Sequence, residues 1–339
     1  MRCPTLKELP SSPLDKKGWP WIEESPQLPD TMPDGSPWPR ISIVTPSLNQ
    51  GQFIEETIRS VLLQGYPDLE YIIIDGGSTD ESVNIIKKYE KWLAYWISEP
   101  DKGQSDAINK GIGKCSGNIF AWINSDDLYL KSALSAVAGA YIKSSDSIIA
   151  GDVITFNENT AHITIVRQQR ITLQNFIIFW NDPNGIIKTG MVWHQPGLFV
   201  PRKRLNEIGL LDESLAYAMD YDFFCRLLCV CNVAYIPSIV AKFRIHHASK
   251  TSGDYNRFII EKVSVYQQYK NLLNHRDKAD RSLTNDIIRR ACYQFRQFKI
   301  HGAKHLFDAS FSVSVKYSII AIINELRRLL LGGRFTGRR

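Results

Sequence analysis

Between residues 41 and 150, short apolar segments rich in β-branched residues alternate with longer segments of helical pattern, and this alternation constrains the fold most strongly. The predicted strands are 41–44, 69–74, 93–97, 118–123 and 147–150. The predicted helices are 51–64, 78–90, 104–115 and 130–142. Strands that alternate with helices of about 10–14 residues form right-handed βαβ units. The sequence therefore predicts an α/β fold with a mostly parallel, Rossmann-like sheet covered by helices.

The second of these helices has a recognisable start signal. Ser78 is followed three residues later by Glu81, the spacing of a capping box. In that motif each side chain accepts a hydrogen bond from the backbone amide of the other residue. We therefore predict that the helix begins at Ser78.

Proline distinguishes the N-terminal segment from the rest of the chain. Residues 1–39 contain nine of the sixteen prolines, together with Trp19, Trp21 and Trp38. Proline at this density is incompatible with regular helices and sheet ladders. We therefore expect an extended arm that its tryptophans hold against the surface of the protein.

After residue 150 the regular alternation stops. Segments 153–156 and 162–166 have the pattern of antiparallel strands, and 171–200 is irregular. The elements predicted next are short helices that begin at Pro201 and Asp220, a strand at 233–245, and helices from 255 onward, the last at 318–331. The resulting division is an arm at 1–39, a domain at 40–250 with halves 40–150 and 151–250, and a helical basic extension at 251–339.

Basic residues are concentrated in the extension. The chain has a formal net charge of +6, but residues from 281 onward contain 12 Lys/Arg and 3 Asp/Glu, so the preceding residues sum to −3 (+6 minus +9). The last helix also has an apolar stripe, formed by Tyr317, Ile319, Ile320, Ile323, Leu326 and Leu330. Such a helix predicts binding to an anionic membrane surface, although it could equally pack on the protein itself. No nucleic-acid-binding module is recognisable, so no nucleic-acid partner is expected.

The sequence also indicates a compartment. It contains no apolar run of the ~18–20 residues that a membrane-spanning helix requires. The first twenty residues lack the apolar core of a signal peptide. Cys225, Cys229 and Cys231 cluster, but no second cluster completes a four-ligand zinc site. We expect a cytoplasmic protein with reduced cysteines that associates, if at all, peripherally with the inner face of the membrane.

Polar and acidic side chains follow four consecutive predicted strands, where ligands bind in an open parallel sheet. These residues are Thr45, Pro46, Ser47 and Asn49, then Asp75 and Asp80, then Glu99, Asp101 and Lys102, then Asp126 and Asp127. Glycine-rich phosphate loops are absent, because Thr-Pro-Ser-Leu-Asn follows the first strand. A row of carboxylates instead suits a nucleotide diphosphate that is bridged by a hard divalent ion, Mn²⁺ or Mg²⁺.

Four motifs occur here in order: Ile-Ser-Ile-Val-Thr-Pro-Ser-Leu-Asn-Gln, Ile-Ile-Asp-Gly-Gly-Ser-Thr-Asp, Asp-Lys-Gly-Gln-Ser-Asp-Ala-Ile-Asn-Lys-Gly and Ile-Asn-Ser-Asp-Asp. Together they resemble the family 2 glycosyltransferases, which have the GT-A fold, and the resemblance covers residues 40–245. It implies a GT-A domain at 40–250, with a nucleotide-binding half and then an acceptor half. It also implies sugar transfer from a nucleotide-diphosphate sugar, with a UDP-sugar favoured, to a hydroxyl of a glycan or lipid-linked acceptor.

The resemblance further implies roles for individual residues. Those expected to bind the nucleotide sugar are Thr45, Pro46, Asn49, Asp75, Lys102, Asp106, Asn109 and Asp126. The metal is expected on Asp127 and His246, and the acceptor near His194 and Gln195. Asp220 corresponds to the family's catalytic base, which deprotonates the acceptor hydroxyl in an inverting displacement. Asn124 and Met219 stand where the family pattern has acids, so the site has fewer negative charges.

Alternative interpretations exist for several residues and for the function. Asp106 and Asn109 could lie on a solvated helix face, Asp222 could pair with Arg226 four residues later, and His194 could be a structural loop histidine. A degenerate domain that only binds nucleotide or a partner is one alternative function. A nucleotidylyltransferase is another, although it would require a glycine-rich loop with arginine and lysine after the first strand. The predicted function is sugar transfer in the synthesis of a cell-surface polysaccharide or glycolipid.

Overall fold

The computed structural model describes residues 1–157, 162–168, 171–179, 194–246, 255–273, 276–296 and 300–330. These residues belong to two compact units. The first unit comprises 1–172 and 191–252, and the second comprises 173–190 and 253–339. The first unit is built around a mixed β-sheet, whereas the elements described in the second unit are helical.

The sheet is parallel in one half and mixed in the other. Its strands are β1 (Ile41–Ser47), β2 (Leu69–Asp75), β3 (Tyr95–Ser98), β4 (Ile119–Trp122), β5 (Leu128–Tyr129), β6 (Ile148–Asn157), β7 (His162–Val166), β8 (Leu198–Pro201) and β9 (Val233–Ile245). Their order is β3-β2-β1-β4-β8-β6-β9-β5, and β7 pairs with β6. Strands β1 to β4 run parallel, whereas β8 is antiparallel to both β4 and β6.

Helices connect the parallel strands and continue through the rest of the chain. The first four are α1 (Ile54–Leu62), α2 (Ser82–Tyr89), α3 (Gln104–Ile112) and α4 (Ala133–Lys143). They are followed by α5 (Leu173–Phe179), α6 (Arg202–Ile208) and α7 (Met219–Val230). The last four are α8 (Tyr255–Tyr269), α9 (Arg276–Arg296), α10 (Ile300–Val313) and α11 (Val315–Leu330). The predicted α/β class, with its covered sheet and helical C-terminal region, is confirmed.

β1 is buried over its whole length, as its continuous apolar run predicts for a strand covered on both faces. Ile41 and Ile43 belong to the core that also contains Ile58 of α1. On the opposite face α3 packs closely, because a side chain at Gly111 would collide with Val44. Each fully buried aliphatic side chain of this kind contributes about 1.5–3 kcal/mol through removal of apolar surface from water.

The predicted capping box is wrong. α2 begins at Ser82, and no side-chain cap is formed at Glu81. The Ser78 hydroxyl instead donates a hydrogen bond to Asp75 Oδ1 at 2.5 Å. A backbone amide at the start of α2 is instead bound by Asp80, whose Oδ1 accepts a hydrogen bond from the Ser82 N–H at 2.9 Å. Ser78 therefore binds the buried Asp75 carboxylate at the end of β2 and does not cap α2.

The second half of the sheet differs from prediction in its connections. The strands predicted at 147–150 and 153–156 are one strand, β6, whose register with β9 shifts around Asp152. The predicted antiparallel pairing with 162–166 is confirmed, since β7 pairs antiparallel with β6. β5 was not predicted, because a segment of two residues is too short for a pattern, and β8 was not predicted either. β8 begins inside the predicted irregular region 171–200 and ends at Pro201, and the helix predicted from Pro201 begins at Arg202.

The first forty residues contain no helix or strand, apart from one isolated bridge between Thr31 and Pro37. Their tryptophans contact the domain. Trp21 is buried, and Trp19 Nε1 donates a hydrogen bond to the Tyr129 carbonyl at 2.8 Å. Trp38 packs edge-on against Tyr66, with ring centroids 5.8 Å apart.

Arg59 of α1 connects this segment to the core. Its guanidinium is buried and donates to the carbonyls of Pro10, Pro20 and Trp21 at 2.9, 3.2 and 3.1 Å. The same group lies 5.3 Å from the centre of the Trp21 indole. Residues 10–21 are therefore held by a buried cation that is satisfied mainly by backbone carbonyls.

The second unit is an assembly of helices. α9 packs against both α10 and α11, and α5 also contacts α9. Within the residues described, no helix combines the length and the apolar character needed to cross a membrane.

Candidate active site

The loops that follow β1 to β4 lie along one edge of the sheet, because these strands are parallel and nearly in register. Ser47 at the end of β1 pairs with Asp75 at the end of β2, and Asp75 pairs with Ser98 at the end of β3. On the other side of β1, the Ile123 amide donates to the Val44 carbonyl at 2.9 Å. The sequence-predicted row of polar residues therefore forms one continuous edge.

Asn49 joins the loops after β1 and β2. Its backbone is in the left-handed region at φ +52, which asparagine tolerates better than most residues. Its amide donates to Ser78 Oγ at 2.7 Å, and its side-chain carbonyl accepts from the Thr79 amide at 2.9 Å. Asn49 therefore shapes this part of the edge, whether or not it also contacts a ligand.

Asp75 is fully buried at the end of β2. Its carboxylate accepts hydrogen bonds from the Gly77 and Ser78 amides at 3.2 and 2.8 Å and from the Ser78 and Ser98 hydroxyls at 2.5 and 2.7 Å. The turn depends on Gly77, whose φ of +84 strains other residues. A nucleoside base at this position would share carboxylate oxygens that already hold the loops after β2 and β3 together.

The residues singled out on β1 are enclosed by the sheet. Thr45 is fully buried, with its hydroxyl 3.1 Å from that of Tyr71, and Pro46 is also buried. Ser47, which the sequence also places among the candidates after the first strand, is 4% exposed, and its hydroxyl has no hydrogen-bond partner among the described residues. Ser47 is therefore the β1 side chain with hydrogen-bonding capacity left for a ligand.

The loop after β4 places two adjacent acids in different environments. Asp127 is 1% exposed, and its Oδ1 accepts the Arg244 amide at 2.9 Å while its Oδ2 lies 3.3 Å from Asn124 Nδ2. Burial raises the pKa of Asp127 well above its ordinary value, and the neighbouring charge of Asp126 raises it further. A cation bound here would compensate for both effects.

Arg244 organises this loop from β9. Its Nε donates to the Asp126 carbonyl at 2.9 Å, and its Nη2 contacts Glu56 of α1 at 2.7 Å. The guanidinium is buried and lies 4.7 and 4.8 Å from the ring centres of Phe53 and Phe156. One side chain therefore links α1, β6, β9 and the acidic loop.

His246 completes the acidic cluster. Its Nε2 lies 3.0 Å from Asp126 Oδ2, and its ring centre is 4.7 Å from that of Phe53. The contact follows from the pairing of β5 with β9, in which Leu128 is opposite Lys242. Because β5 directly follows the acidic loop, the end of β9 is brought beside Asp126.

The donor set of this cluster suits a divalent ion. Carboxylate oxygens and imidazole nitrogen are ligands that Mn²⁺ accepts. Among the described residues, no three His, Cys, Asp or Glu side chains are placed so that they could hold a metal ion together, and this applies to Asp126, Asp127 and His246 as well. An ion bound at one or two of these carboxylates would need to take its remaining ligands from phosphate oxygens and water, as nucleotide-bound Mg²⁺ and Mn²⁺ do.

The residues expected on α3 divide into exposed and buried groups. Lys102 is exposed, and its amide donates to Asp106 Oδ2 at 2.9 Å. Asn109 is instead buried. Its amide group exchanges hydrogen bonds with the backbone of Leu211 at 3.0 and 2.9 Å and contacts Glu213 at 3.2 Å. The alternative of a solvated face therefore does not apply to Asn109, which joins α3 to the segment before α7.

α7 begins with Met219 and Asp220. The Met219 sulfur accepts a hydrogen bond from Ser105 Oγ at 2.9 Å, so this helix starts beside the first turn of α3. In the same turn of α3, Gln104 Nε2 donates to Asn124 Oδ1 at 2.7 Å. These two contacts connect the start of α7 to the acidic loop.

The two aspartates of α7 have different surroundings. Asp220 is partly exposed, and its Oδ1 accepts the Tyr221 amide at 2.7 Å. Asp222 is 5% exposed and contacts Arg226 Nε and Nη2, both at 2.9 Å. The predicted ion pair between Asp222 and Arg226 is therefore confirmed, while Asp220 remains the more accessible carboxylate.

His194 and Gln195 precede β8. Gln195 is buried, and its Nε2 donates to the Trp122 carbonyl at the end of β4 at 2.5 Å. The His194 ring stacks on Phe243 with centroids 4.8 Å apart, and burial lowers its pKa to about 4. His194 is therefore a neutral, stacked imidazole, which could contact an acceptor only as an uncharged ring.

The structure thus brings Asp126, Asp127 and His246 together as the sequence predicted, and it adds Arg244 and Glu56. The added pair was missed because its members are 188 residues apart. The only sequence signal was the position of Arg244 two residues before His246, in the segment Phe-Arg-Ile-His-His.

Comparison with known proteins finds one matching family and several similar sequences from bacteria. The profile of glycosyl transferase family 2 matches residues 42–198. An uncharacterised glycosyltransferase of Mycobacterium tuberculosis (strain H37Rv) is 30% identical over 208 residues, which cover 60% of this chain and 75% of that protein. One of Rickettsia typhi is 28% identical and is covered over 68% of its length. A third, of Rickettsia felis, is 28% identical over 64% of this chain, which spans only 36% of that protein.

Two solved structures have a similar fold. TarS 1–349 of S. aureus, in complex with UDP-GlcNAc, superposes with a TM-score of 0.62 at 17% identity, with 86% of each chain covered. The mannosyltransferase PcManGT from Pyrobaculum calidifontis, in complex with GDP-Man and Mn²⁺, gives a TM-score of 0.50 at 16% identity, with 88% of this chain and 83% of that chain covered. At these identities the likeness concerns the fold alone.

Proposed function

The chain belongs to glycosyl transferase family 2, and from that premise we propose that it transfers a sugar from a nucleotide-diphosphate sugar to an acceptor hydroxyl. The observation that carries the proposal is the acidic cluster of Asp126, Asp127 and His246 at the carboxyl edge of the sheet. A cluster of this composition suits a metal-bound diphosphate better than a free anion, because two acids repel phosphate unless a cation lies between them.

The donor would lie along the edge formed by the loops after β1 to β4. Ser47, Asn49 and Asp75 border the nucleoside end, and Asp126 and Asp127 border the diphosphate end. A UDP-sugar is the favoured donor, which is in line with the UDP-GlcNAc complex of TarS. Lys102 and Asp106 are exposed or partly exposed beside this edge and would contact the sugar or the phosphates.

A divalent ion, Mn²⁺ or Mg²⁺, would be held by Asp127 with Asp126 and His246, and when bound it would supply positive charge to the diphosphate. Asp127 Oδ2 supports this assignment, since its hydrogen bond to Asn124 is long at 3.3 Å. Arg244 would keep the loop in place through the Asp126 carbonyl and Glu56. The Mn²⁺ complex of PcManGT is consistent with this choice of ion.

Asp220 would act as the general base of an inverting displacement. It takes the proton of the acceptor hydroxyl, the hydroxyl oxygen attacks the anomeric carbon, and the bond from that carbon to the diphosphate oxygen breaks. Its position in the first turn of α7 favours the ionised form that a base needs. The contacts of Met219 with Ser105 and of Gln104 with Asn124 support a location near the acidic loop.

The acceptor would approach from the side of His194, Gln195 and α7. A glycan or lipid-linked hydroxyl fits this proposal, in the synthesis of a cell-surface polysaccharide or glycolipid on the cytoplasmic side of the membrane. The stacked imidazole of His194 would offer an uncharged contact to a sugar ring, and Gln195 a buried amide.

Thermal-shift measurements with UDP, GDP and UDP-sugars test the proposal. UDP should raise the melting temperature more with Mn²⁺ than with EDTA, because ligand binding stabilises the native state by mass action. Asp127→Ala should abolish the difference between Mn²⁺ and EDTA. Asp146→Ala, at a carboxylate that is 56% exposed and pairs with Lys203, is the matched control and should behave as wild type.

Two results would contradict parts of this proposal. Unchanged metal dependence in Asp127→Ala would place the metal elsewhere. Nucleotide binding without sugar transfer or donor hydrolysis in the presence of Mn²⁺ would identify a degenerate domain, for which the replacements Asn124 and Met219 would then account.

A further inference from the structure

α11 has two faces with different environments. Tyr317, Ser318, Ala321 and Glu325 are buried within the second unit, where α11 packs on α9 and α10. Glu325 also lies 4.0 Å from Arg289 of α9. The helix is therefore docked through one face. Five of the six residues of the predicted apolar stripe have described side chains. Of these five, only Tyr317 lies on the buried face.

The opposite face is apolar and exposed. The exposed fractions are 58% for Val315, 48% for Ile319, 43% for Ile323 and 52% for Leu326. At about 100° per residue these four positions fall within an arc of about 80°, and they extend over about 17 Å of helix. Ile320, 43% exposed, adjoins the arc. Single exposed aliphatic residues are ordinary, but a continuous row marks an interaction surface.

The segment of the chain that carries this row is basic. Lys316 is exposed on the flank of the arc, and Lys304 is exposed on α10. Glu325 is the only acid of α11, and it is buried on the docked face. Asp308 is exposed on α10, but from residue 281 onward 12 Lys/Arg outnumber 3 Asp/Glu. The exposed apolar row thus lies in a strongly basic part of the chain.

We infer that the exposed face of α11, defined by Val315, Ile319, Ile320, Ile323 and Leu326, binds the surface of an anionic phospholipid membrane. The aliphatic side chains enter the boundary between headgroups and acyl chains, and the lysines contact lipid phosphates. A second copy of the chain is a poorer occupant, because two such faces would bring basic segments together. The inference is independent of the proposed sugar transfer.

Vesicle sedimentation with the full chain tests this inference. Vesicles of phosphatidylglycerol and phosphatidylcholine in equal parts should sediment the protein at low salt, and pure phosphatidylcholine should do so much less. The double variant Ile319→Glu/Ile323→Glu should bind at least about tenfold more weakly, because it removes apolar area and adds negative charge to the contact face. Leu272→Glu is the matched control, since Leu272 is 62% exposed in the same unit but outside α11.

Equal melting temperatures of wild type and the double variant would show that both fold, as expected for exposed positions. Failure of the wild type to bind anionic vesicles would overturn the inference. So would vesicle binding by the double variant at the wild-type level. A wild-type dimer in analytical ultracentrifugation that the double variant abolishes, without any vesicle binding, would assign the face to a second copy instead.

Discussion

At the scale of single residues, the candidate site depends on groups that bridge distant segments. Arg244 is the clearest case, because its backbone amide bonds Asp127 while its side chain bonds Glu56 and the Asp126 carbonyl. The backbone contact belongs to any residue at this position, whereas the side-chain contacts require a guanidinium. These two contributions can therefore be separated by substitution.

Arg244→Lys keeps the charge and the backbone amide but loses the planar group between Phe53 and Phe156 and its two directed contacts. We expect the variant to bind UDP with Mn²⁺ about tenfold more weakly, since one lost charge-assisted hydrogen bond costs about 1.5 kcal/mol or more. Isothermal titration calorimetry measures this change.

Arg257→Lys is the control for that substitution. The Arg257 side chain is 59% exposed and pairs with Glu261 on the same helix, so its replacement should leave UDP binding unchanged. Equal UDP affinity of Arg244→Lys and wild type would show that the acidic loop keeps its shape without the guanidinium.

The His194 imidazole should make stability depend on pH. Its folded-state pKa of about 4 lies below the ordinary value of 6.5, so the unfolded chain binds the proton more readily. Stability is therefore lost as pH falls below about 6.5, with a contribution of up to about 2 kcal/mol at about pH 5. His194→Gln should show a smaller drop in melting temperature between about pH 7.5 and about pH 5.

Because carboxylates also titrate in this range, the comparison is the difference between variants. His305→Gln, at an exposed position of α10, should show the same pH-dependent drop as wild type. An unchanged drop in His194→Gln would mean that the ring becomes hydrated and charged in the native state.

At the scale of secondary-structure elements, α7 carries two aspartates that are two residues apart and have different surroundings. Asp222 is buried and paired with Arg226, whereas Asp220 is partly exposed at the start of the helix. A spacing of two residues turns the side chains to different sides of a helix, so one aspartate faces the interior and the other is accessible. The two positions therefore provide an internal comparison.

Asp220→Asn keeps the size of the side chain and removes its basicity. We expect sugar transfer to fall by ~10²–10⁴-fold while donor affinity is retained, because a positioned base contributes about that much. Asp222→Asn should instead lower the melting temperature and leave the transfer rate per folded molecule nearly unchanged. Radiolabelled-sugar transfer and thermal unfolding separate the two effects. Near-wild-type transfer by Asp220→Asn would show that another carboxylate is the base.

Elements were predictable from sequence where periodicity is sustained. Strands β1 to β4 and the helices between them follow from continuous apolar runs with polar ends, and so does the row of site residues at their carboxyl edge. β5 was not predictable, because two residues carry no period. β8 is as long as β3 and β4, but it follows a long segment without the regular alternation that identifies those strands. The capping box failed for a different reason, since the Ser78 hydroxyl donates to the buried Asp75 carboxylate and its oxygen accepts from the Asn49 amide instead of from the first turn of α2. The Arg244–Glu56 pair was not predictable because its members are 188 residues apart, and only Arg244 has a local signal, its position two residues before His246.

At the scale of the whole molecule, the first forty residues are part of the folded first unit. Arg59 has five hydrogen-bond partners: Pro10, Pro20 and Trp21 carbonyls and the Ser12 and Tyr89 hydroxyls. Four of these belong to the proline-rich segment. A buried guanidinium that is satisfied in this way couples the order of the segment to the stability of α1.

Arg59→Met keeps much of the apolar stem and leaves buried carbonyls without donors. We expect a loss of about 2–4 kcal/mol in the free energy of unfolding, measured by urea denaturation followed by circular dichroism. Arg40→Met removes an exposed ion pair with Asp68 and should cost less than about 1 kcal/mol. Similar losses for the two variants would mean that water replaces the guanidinium in the interior.

β8 is synthesised well after β4, the strand with which it pairs. It pairs with β4, placing Val200 opposite Phe120, although about 75 residues separate the two strands. At about 5–20 residues per second a ribosome needs roughly 4–15 s to make that interval. During this time one edge of β4 has no partner, and unpaired edges promote association between nascent chains. Codon choice between residues 123 and 197 therefore determines how long each new molecule is exposed to that risk.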